Sequence, residues 1–365
     1  MGVAAEVTRP RTLMLIPSSV APDTKAETVA GRRPTADYFA LQESLQADIL
    51  DYGSVANSSS RAVARIARSA GNAAALAALG YSRVADYDII FSNAENVGIV
   101  FGMLTRSFGS RGSAAHVMIG HRLSSPKKRM MLRLVRSQID RVLLYSDVQR
   151  VYAEQTLGFV SEQLIKIPFH ADHRFFECSD AVVNPRQVCS AGLEWRDYPT
   201  LVRAVNGLDV QVRIGAYSPW STSPNELTSC ELPPNVEVAR YDYAQLKQLY
   251  AESAVVVTPL KQTDFQAGIT SIIEGMSMGK PVVATGTRGL PETIVSGTNG
   301  LLTRPGDVEG LRHAILSVLD NRVEAARLGA RARTDVESIL TLDHWVDRIS
   351  QVVRGLFAER SRSVK

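Results

Sequence analysis

Two short apolar runs, Ala254–Leu260 and Pro281–Thr285, limit the fold more than any other feature of the chain. Both are valine-rich and shorter than an ordinary buried helix, so each reads as a strand covered on both faces in a parallel sheet. Between them Ile269, Ile272, Ile273 and Met276 recur at three- and four-residue spacing, the period of a helix with one apolar face. Gly268 stands at the mouth of that helix, where the first backbone N–H groups lack intrahelical partners and the dipole is positive. A diphosphate fits such a place with little steric obstruction. Glu274 follows within a turn and a half, near enough to accept from ribose hydroxyls. The arrangement reads as a nucleotide site.

The same residues resemble the donor-binding signature of the retaining glycosyltransferases of family four, which have the two-domain GT-B architecture. In that family two glutamates flank seven residues, and a small-residue helix, Gly-Lys-Pro-Val-Val and a Gly-x-Pro-Glu loop follow. Glu274 matches the second glutamate, Gly279–Val283 the next element, and Gly289-Leu290-Pro291-Glu292 the loop. Gln266 stands where the first glutamate is expected, and Gly268 sits one place earlier than the usual glycine. The resemblance continues through Asn299–Asp307 and covers the C-terminal half, becoming weak over the first 110 residues.

Composition agrees with an enzyme of this size. The 365 residues suffice for two domains, and 45% hydrophobic with 21% charged residues is ordinary for a globular protein. No apolar run approaches the ~20 residues that span a bilayer, and the start shows no signal peptide or myristoylation pattern. Cys178, Cys189 and Cys230 are odd in number and lack metal-ligand spacing, which argues for reduced thiols and a cytoplasmic protein. A net charge of +4 suits anionic substrates or an anionic membrane surface.

In the first half, Thr12–Ile16 and Ala47–Leu50 read as strands with a helix over 35–44, and Gly31 stands where the family has its Gly-Gly loop. Ser58–Ser60 caps one alanine-rich helix reaching towards Leu79, with Arg61, Arg65 and Arg68 on a solvated face. Asp86 and Asp88 form an Asp-x-Asp pair, the metal mark of the other glycosyltransferase fold. Here the pair precedes its strand, so a solvent role is expected and no metal. His116 lies inside the strand Ala115–Gly120 and reads as structural, whereas His121 lies at its carboxyl end, where open α/β sheets bind ligands. Pro126 opens a helix in which Lys127, Lys128, Arg129, Arg133 and Arg136 accompany Met130, Met131, Leu132, Leu134 and Val135. Such a helix either packs on its own sheet with a charged outer face or lies on anionic lipid, giving peripheral membrane contact through 127–136.

The second half opens with the strand Val188–Gly192 and a turn carrying Arg196. A Pro-, Ser- and Thr-rich loop is expected over 217–234, and amphipathic helices over 307–330 and 341–356. The resemblance implies an α/β GT-B fold, two doubly wound Rossmann-like domains facing a cleft. Residues 1–176 would bind acceptor, 177–340 the nucleotide sugar, and 341–365 would form a crossover helix and basic tail. It implies a metal-independent transfer from a UDP- or GDP-sugar to a sugar, lipid-linked or small-molecule acceptor, with retention of anomeric configuration. No further cofactor and no nucleic acid is implied.

No side chain offers itself as a covalent nucleophile, so the departing diphosphate would take the acceptor's proton, and the protein would position substrates and stabilise charge. By resemblance Arg196, assisted by Lys261, meets the diphosphate; Gly268 and Ile269 offer backbone N–H groups on the turn that also holds Thr270. Glu274 binds ribose, Gln266 or Asp264 holds sugar hydroxyls, and His121 orders the donor sugar. An amide at 266 accepts and donates without charge, unlike the carboxylate it replaces. That substitution leaves two other readings: a catalytically degenerate GT-B protein that binds nucleotide or sugar, and a GT-B sugar-nucleotide epimerase.

Overall fold

Runs such as Leu13–Ile16, Ile89–Phe91, Val117–Ile119 and Val255–Val257 are fully buried, and each becomes an interior strand of an all-parallel sheet. The computed structural model describes residues 9–109, 114–217, 227, 232–290 and 293–363. They fall into two compact units. The first comprises residues 1–24, 36–167 and 345–365, and the second 25–35 and 168–344.

The first unit holds β1 (Thr12–Leu15), β2 (Asp48–Leu50), β3 (Ile89–Ser92), β4 (Ala115–Gly120), β5 (Arg141–Leu144) and β6 (Leu164–Lys166). Their order is β2-β1-β3-β4-β5-β6, so the direction of winding reverses between β1 and β3. Helices cover both faces. Leu76, Leu79 and Phe101 pack with Leu13, Leu15 and Ile90, while Leu132, Val135 and Leu157 pack with Met118, Val142 and Leu144. The helix Leu342–Ser363 closes this unit from Trp345 onward, its buried Trp345 indole donating to the Tyr145 hydroxyl at 3.2 Å.

The second unit holds β7 (Asn184–Ala191), β8 (Gln211–Gly215), β9 (Val236–Val238), β10 (Ser253–Thr258), β11 (Val282–Thr285) and β12 (Leu301–Thr303). The order β12-β11-β10-β7-β8-β9 is that of a dinucleotide-binding sheet, with its switch point between β7 and β10. Ile272, Ile273 and Met276 pack with Tyr250, Val256 and Val336 on one face, and Leu201, Val205 and Ile315 with Val212, Val255 and Val257 on the other. The segment 25–35 groups with this unit, and the Thr35 N–H donates to Asp172 at 2.8 Å.

Several expectations change in detail. The alanine-rich helix is two helices, Arg61–Ala70 and Asn72–Ser82, because Gly71 adopts φ 85° and ends the first. The helices expected over 307–330 and 341–356 are three: Val308–Asp320, Arg322–Ile339 and Leu342–Ser363. Asn321 separates the first two by accepting from the Glu324 N–H. Pro291 and Glu292 of the Gly-x-Pro-Glu loop, most of the 217–234 loop and Cys230 lie outside the described residues. No helix among the described residues is long and apolar enough to cross a membrane.

Candidate functional site

At the switch point of the second sheet, the turn after β7 and the loop after β10 are tied together by backbone. The Asp197 N–H donates to Pro259, Lys261 N–H to Trp195, and Leu260 N–H to the Thr285 hydroxyl. These bonds join the turn after β7 to the loop after β10, and that loop to the end of β11. Arg196 occupies the centre and is only 8% exposed. Its Nε donates to the Ala191 carbonyl at 2.9 Å, one terminal nitrogen to the Glu194 carbonyl at 3.0 Å, and the other to Ser271 Oγ at 3.0 Å. The Ser271 hydroxyl in turn donates to the Gly268 carbonyl. Arg196 thus joins the turn after β7 to the first turn of the helix Ile269–Ser277. All three acceptors are neutral, so its positive charge is oriented without being cancelled by an ion pair among the described residues.

Gly268 is required there on two counts. Its φ of 78° is left-handed, and a Cβ would stand 2.8 Å from both Leu260 Cδ2 and Thr258 Cγ2. The helix has no side-chain cap, so the N–H groups of Ile269, Thr270 and Ser271 carry its positive end. Thr270 is exposed at this opening; Lys261, Asp264 and Gln266 are half-buried along the loop leading to it.

Glu274 lies deeper than ribose contact alone would suggest. It is 7% exposed and accepts from the Tyr250 hydroxyl at 3.0 Å. Burial raises its carboxyl to about 8, against the opposing influence of that hydroxyl and of Arg196, which favours the protonated form. Tyr250 comes from the helix Tyr243–Glu252, and burial drives its own hydroxyl well above the usual range. Nothing in the sequence links positions 250 and 274. Ser271 was equally unforeseen, although a hydroxyl on a helix's first turn beside a glycine is a readable signal.

The first unit carries a second group of site candidates. His121 is exposed beyond β4, its ring 5.5 Å from that of buried Tyr145 and its Nε2 3.3 Å from the Asn93 carbonyl. His116 is buried, bonded to Ser92, and lowered to about 4 by burial, so it is a neutral structural group. Asp88 Oδ2 accepts from the Arg11 N–H at the amino end of β3, away from the sheet's carboxyl edge. Lys128 departs from the expected cationic face by turning inward to Glu95 at 2.7 Å.

The comparisons with known proteins agree with the fold. Anabaena HepE, solved in complex with UDP-glucose, is 19% identical with a TM-score of 0.69, covering 97% of this chain and 100% of that one. Sucrose-phosphate synthase from Thermosynechococcus elongatus is 18% identical with a TM-score of 0.73, covering 96% and 100%. The fold is that of the GT-B glycosyltransferases. Within the GT-B second unit, residues 194–321 match the family described as Glycosyl transferases group 1, a span from the Arg196 turn through the helix Ile269–Ser277. An uncharacterized glycosyltransferase of Methanocaldococcus jannaschii is 28% identical over 109 residues, 30% of this chain and 29% of that protein. The chain therefore spans less than a third of that relative's length.

Proposed function

We propose that the protein is a glycosyltransferase that moves a sugar from a nucleoside diphosphate donor, UDP- or GDP-linked, to an acceptor hydroxyl. The observation that carries this reading is the uncancelled Arg196 charge beside the open first turn at Gly268, on the switch point of the second sheet. Fixed N–H groups and a buried guanidinium stabilise charge on a departing diphosphate without reorganising. Ile269, Thr270 and Arg196 would hold the diphosphate, aided by Lys261, and Glu274 the ribose. Gln266 or Asp264 would hold sugar hydroxyls, and His121 would meet the donor sugar in the reacting complex. Retention would follow if the leaving diphosphate takes the acceptor's proton on the face it departs from. Metal independence is part of this proposal, with charge supplied by the protein's own groups.

The test is diphosphate release from UDP-, GDP-, ADP- and TDP-sugars, with thermal shift against the free diphosphates. A ligand at 100 times its dissociation constant adds ~2.7 kcal/mol of stability. Stabilisation without release from any donor would favour the degenerate binding protein; interconversion of the free sugar nucleotide would favour the epimerase. Loss of activity on chelation, restored by manganese, would remove metal independence.

We also propose a cytoplasmic protein that touches anionic membrane through the helix Pro126–Val135. Met130 and Leu134 are 80% and 47% exposed and sit between Lys127 on one side and Arg129 and Arg133 on the other. Such a face suits a lipid-linked acceptor.

A further inference from the structure

Glu95 is a buried carboxylate that the proposed reaction does not use. It is 4% exposed and opens the helix Glu95–Phe108, just past the carboxyl end of β3. One oxygen accepts from the His121 backbone N–H at 3.1 Å. The other accepts from the Arg122 N–H at 3.2 Å and the Lys128 ammonium at 2.7 Å. Burial pushes its carboxyl up, but the charges of Lys128 and His121 and the bond to Lys128 outweigh it and hold the group below the usual range. A single ionised side chain therefore fixes two successive peptide planes in the turn after β4.

Those planes set the direction of the His121 Cα–Cβ bond. Asn93, two residues before Glu95, presents its carbonyl to His121 Nε2 at 3.3 Å. A carbonyl oxygen only accepts, so Nε2 carries a proton in this bond. Tyr145, just past β5 and held by Trp345, lies against the ring. Backbone, ring nitrogen and ring face are thus each restrained by a different element.

We propose that Glu95, anchored by Lys128, is a positioning residue for His121, fixing the orientation of the imidazole. This rests on the reading above that His121 meets the donor sugar. Misplacement of a reacting group by an ångström costs on the order of a hundredfold in rate. Glu95→Gln keeps shape but loses the charge that holds Lys128.

The test uses the full chain and the donor that releases diphosphate fastest in the panel above. Glu95→Gln is expected to lower kcat about ten- to a hundredfold while leaving donor KM and UDP or GDP affinity unchanged. In a His121→Ala background it should cost nothing further. An equal loss in both backgrounds, or a parallel fall in nucleotide affinity, overturns the proposal. A substrate-free arm separates the two readings: imidazole NMR signals of the unliganded protein, with His121 assigned by His121→Gln. Glu95→Gln should displace the His121 signals and leave those of His313 in place. Unmoved His121 signals overturn positioning whatever the activity, whereas displaced signals with a fully active His121→Ala overturn only the donor-sugar role of His121. Should Glu95→Gln fail to fold, Glu95→Asp gives the same readings, with the charge retained on a shorter stem.

Discussion

The two units bury charge in opposite ways. In the first, the Glu95 carboxylate meets the Lys128 ammonium at 2.7 Å, so the charge is cancelled where it is buried. In the second, Arg196 is held by two carbonyls and a hydroxyl, and burial pushes the carboxyl of nearby Glu274 up towards its neutral form. Desolvating a charge without a counterion is costly, and the neutral acceptors offset only part of that cost. A cancelled pair shapes a turn; an uncancelled guanidinium beside a helix's positive end would suit an anion that arrives from outside, as proposed above. That contrast explains why the nucleotide is assigned to the second unit and a positioning role to the Glu95 pair.

Breaking the cancelled pair should have the largest effect. Lys128→Met leaves Glu95 buried and alone, which typically costs about 3–5 kcal/mol. Urea unfolding should register the loss, and a change within error of wild type would mean that the pair is weaker than its geometry implies. Arg196→Ala should instead act mainly on ligand, weakening UDP or GDP binding by about 1.5–3 kcal/mol in calorimetry. Exposed Arg61→Ala is the control, and equal affinities for the two variants would end the assignment of the diphosphate to this turn.

Glu274 sharpens the comparison through pH. Its carboxyl is raised from 4.5 to about 8 in the folded chain, so the folded state holds a proton that the unfolded state releases. The resulting stabilisation is complete below pH 4.5, declines as pH rises, and is gone above about 8. The slope is about 1.4 kcal/mol per pH unit. Chemical denaturation of Glu274→Gln across this window should show that slope flattened; an unchanged profile would mean that Glu274 is ionised and paired. The smallest effect belongs to the outer face of the helix Pro126–Val135. Lys127→Ser and Arg129→Ser should each weaken binding to phosphatidylserine vesicles by ~1 kcal/mol. Lys128→Ser should add little to that loss, and salt-insensitive or absent binding would remove the membrane contact.

The strands β7, β10 and β11, the helix between β10 and β11 and the place of Gly268 were legible because each is a local pattern, whereas the short edge strand β12 was not read. A valine run, a three-four spacing and a glycine before a helix state their structure within a few residues. The break at Gly71 was legible in principle too, since a glycine inside an alanine-rich stretch marks an end as readily as a tolerated interior position. His121 could be placed at the carboxyl end of its strand by the same local reasoning.

The sequence by itself therefore determined the parallel strands, the helix that presents its N–H groups, and the chemistry of the side chains near that opening. Only the tertiary structure decided which buried charge is cancelled and which is not. Glu95 meets Lys128 across 33 residues, Arg196 meets Ser271 across 75, and Tyr250 meets Glu274 across 24. Each pairing depends on the order of strands in a sheet and on which helix face turns inward. Charge and burial are both set by those long-range neighbours, so no window of sequence contains them.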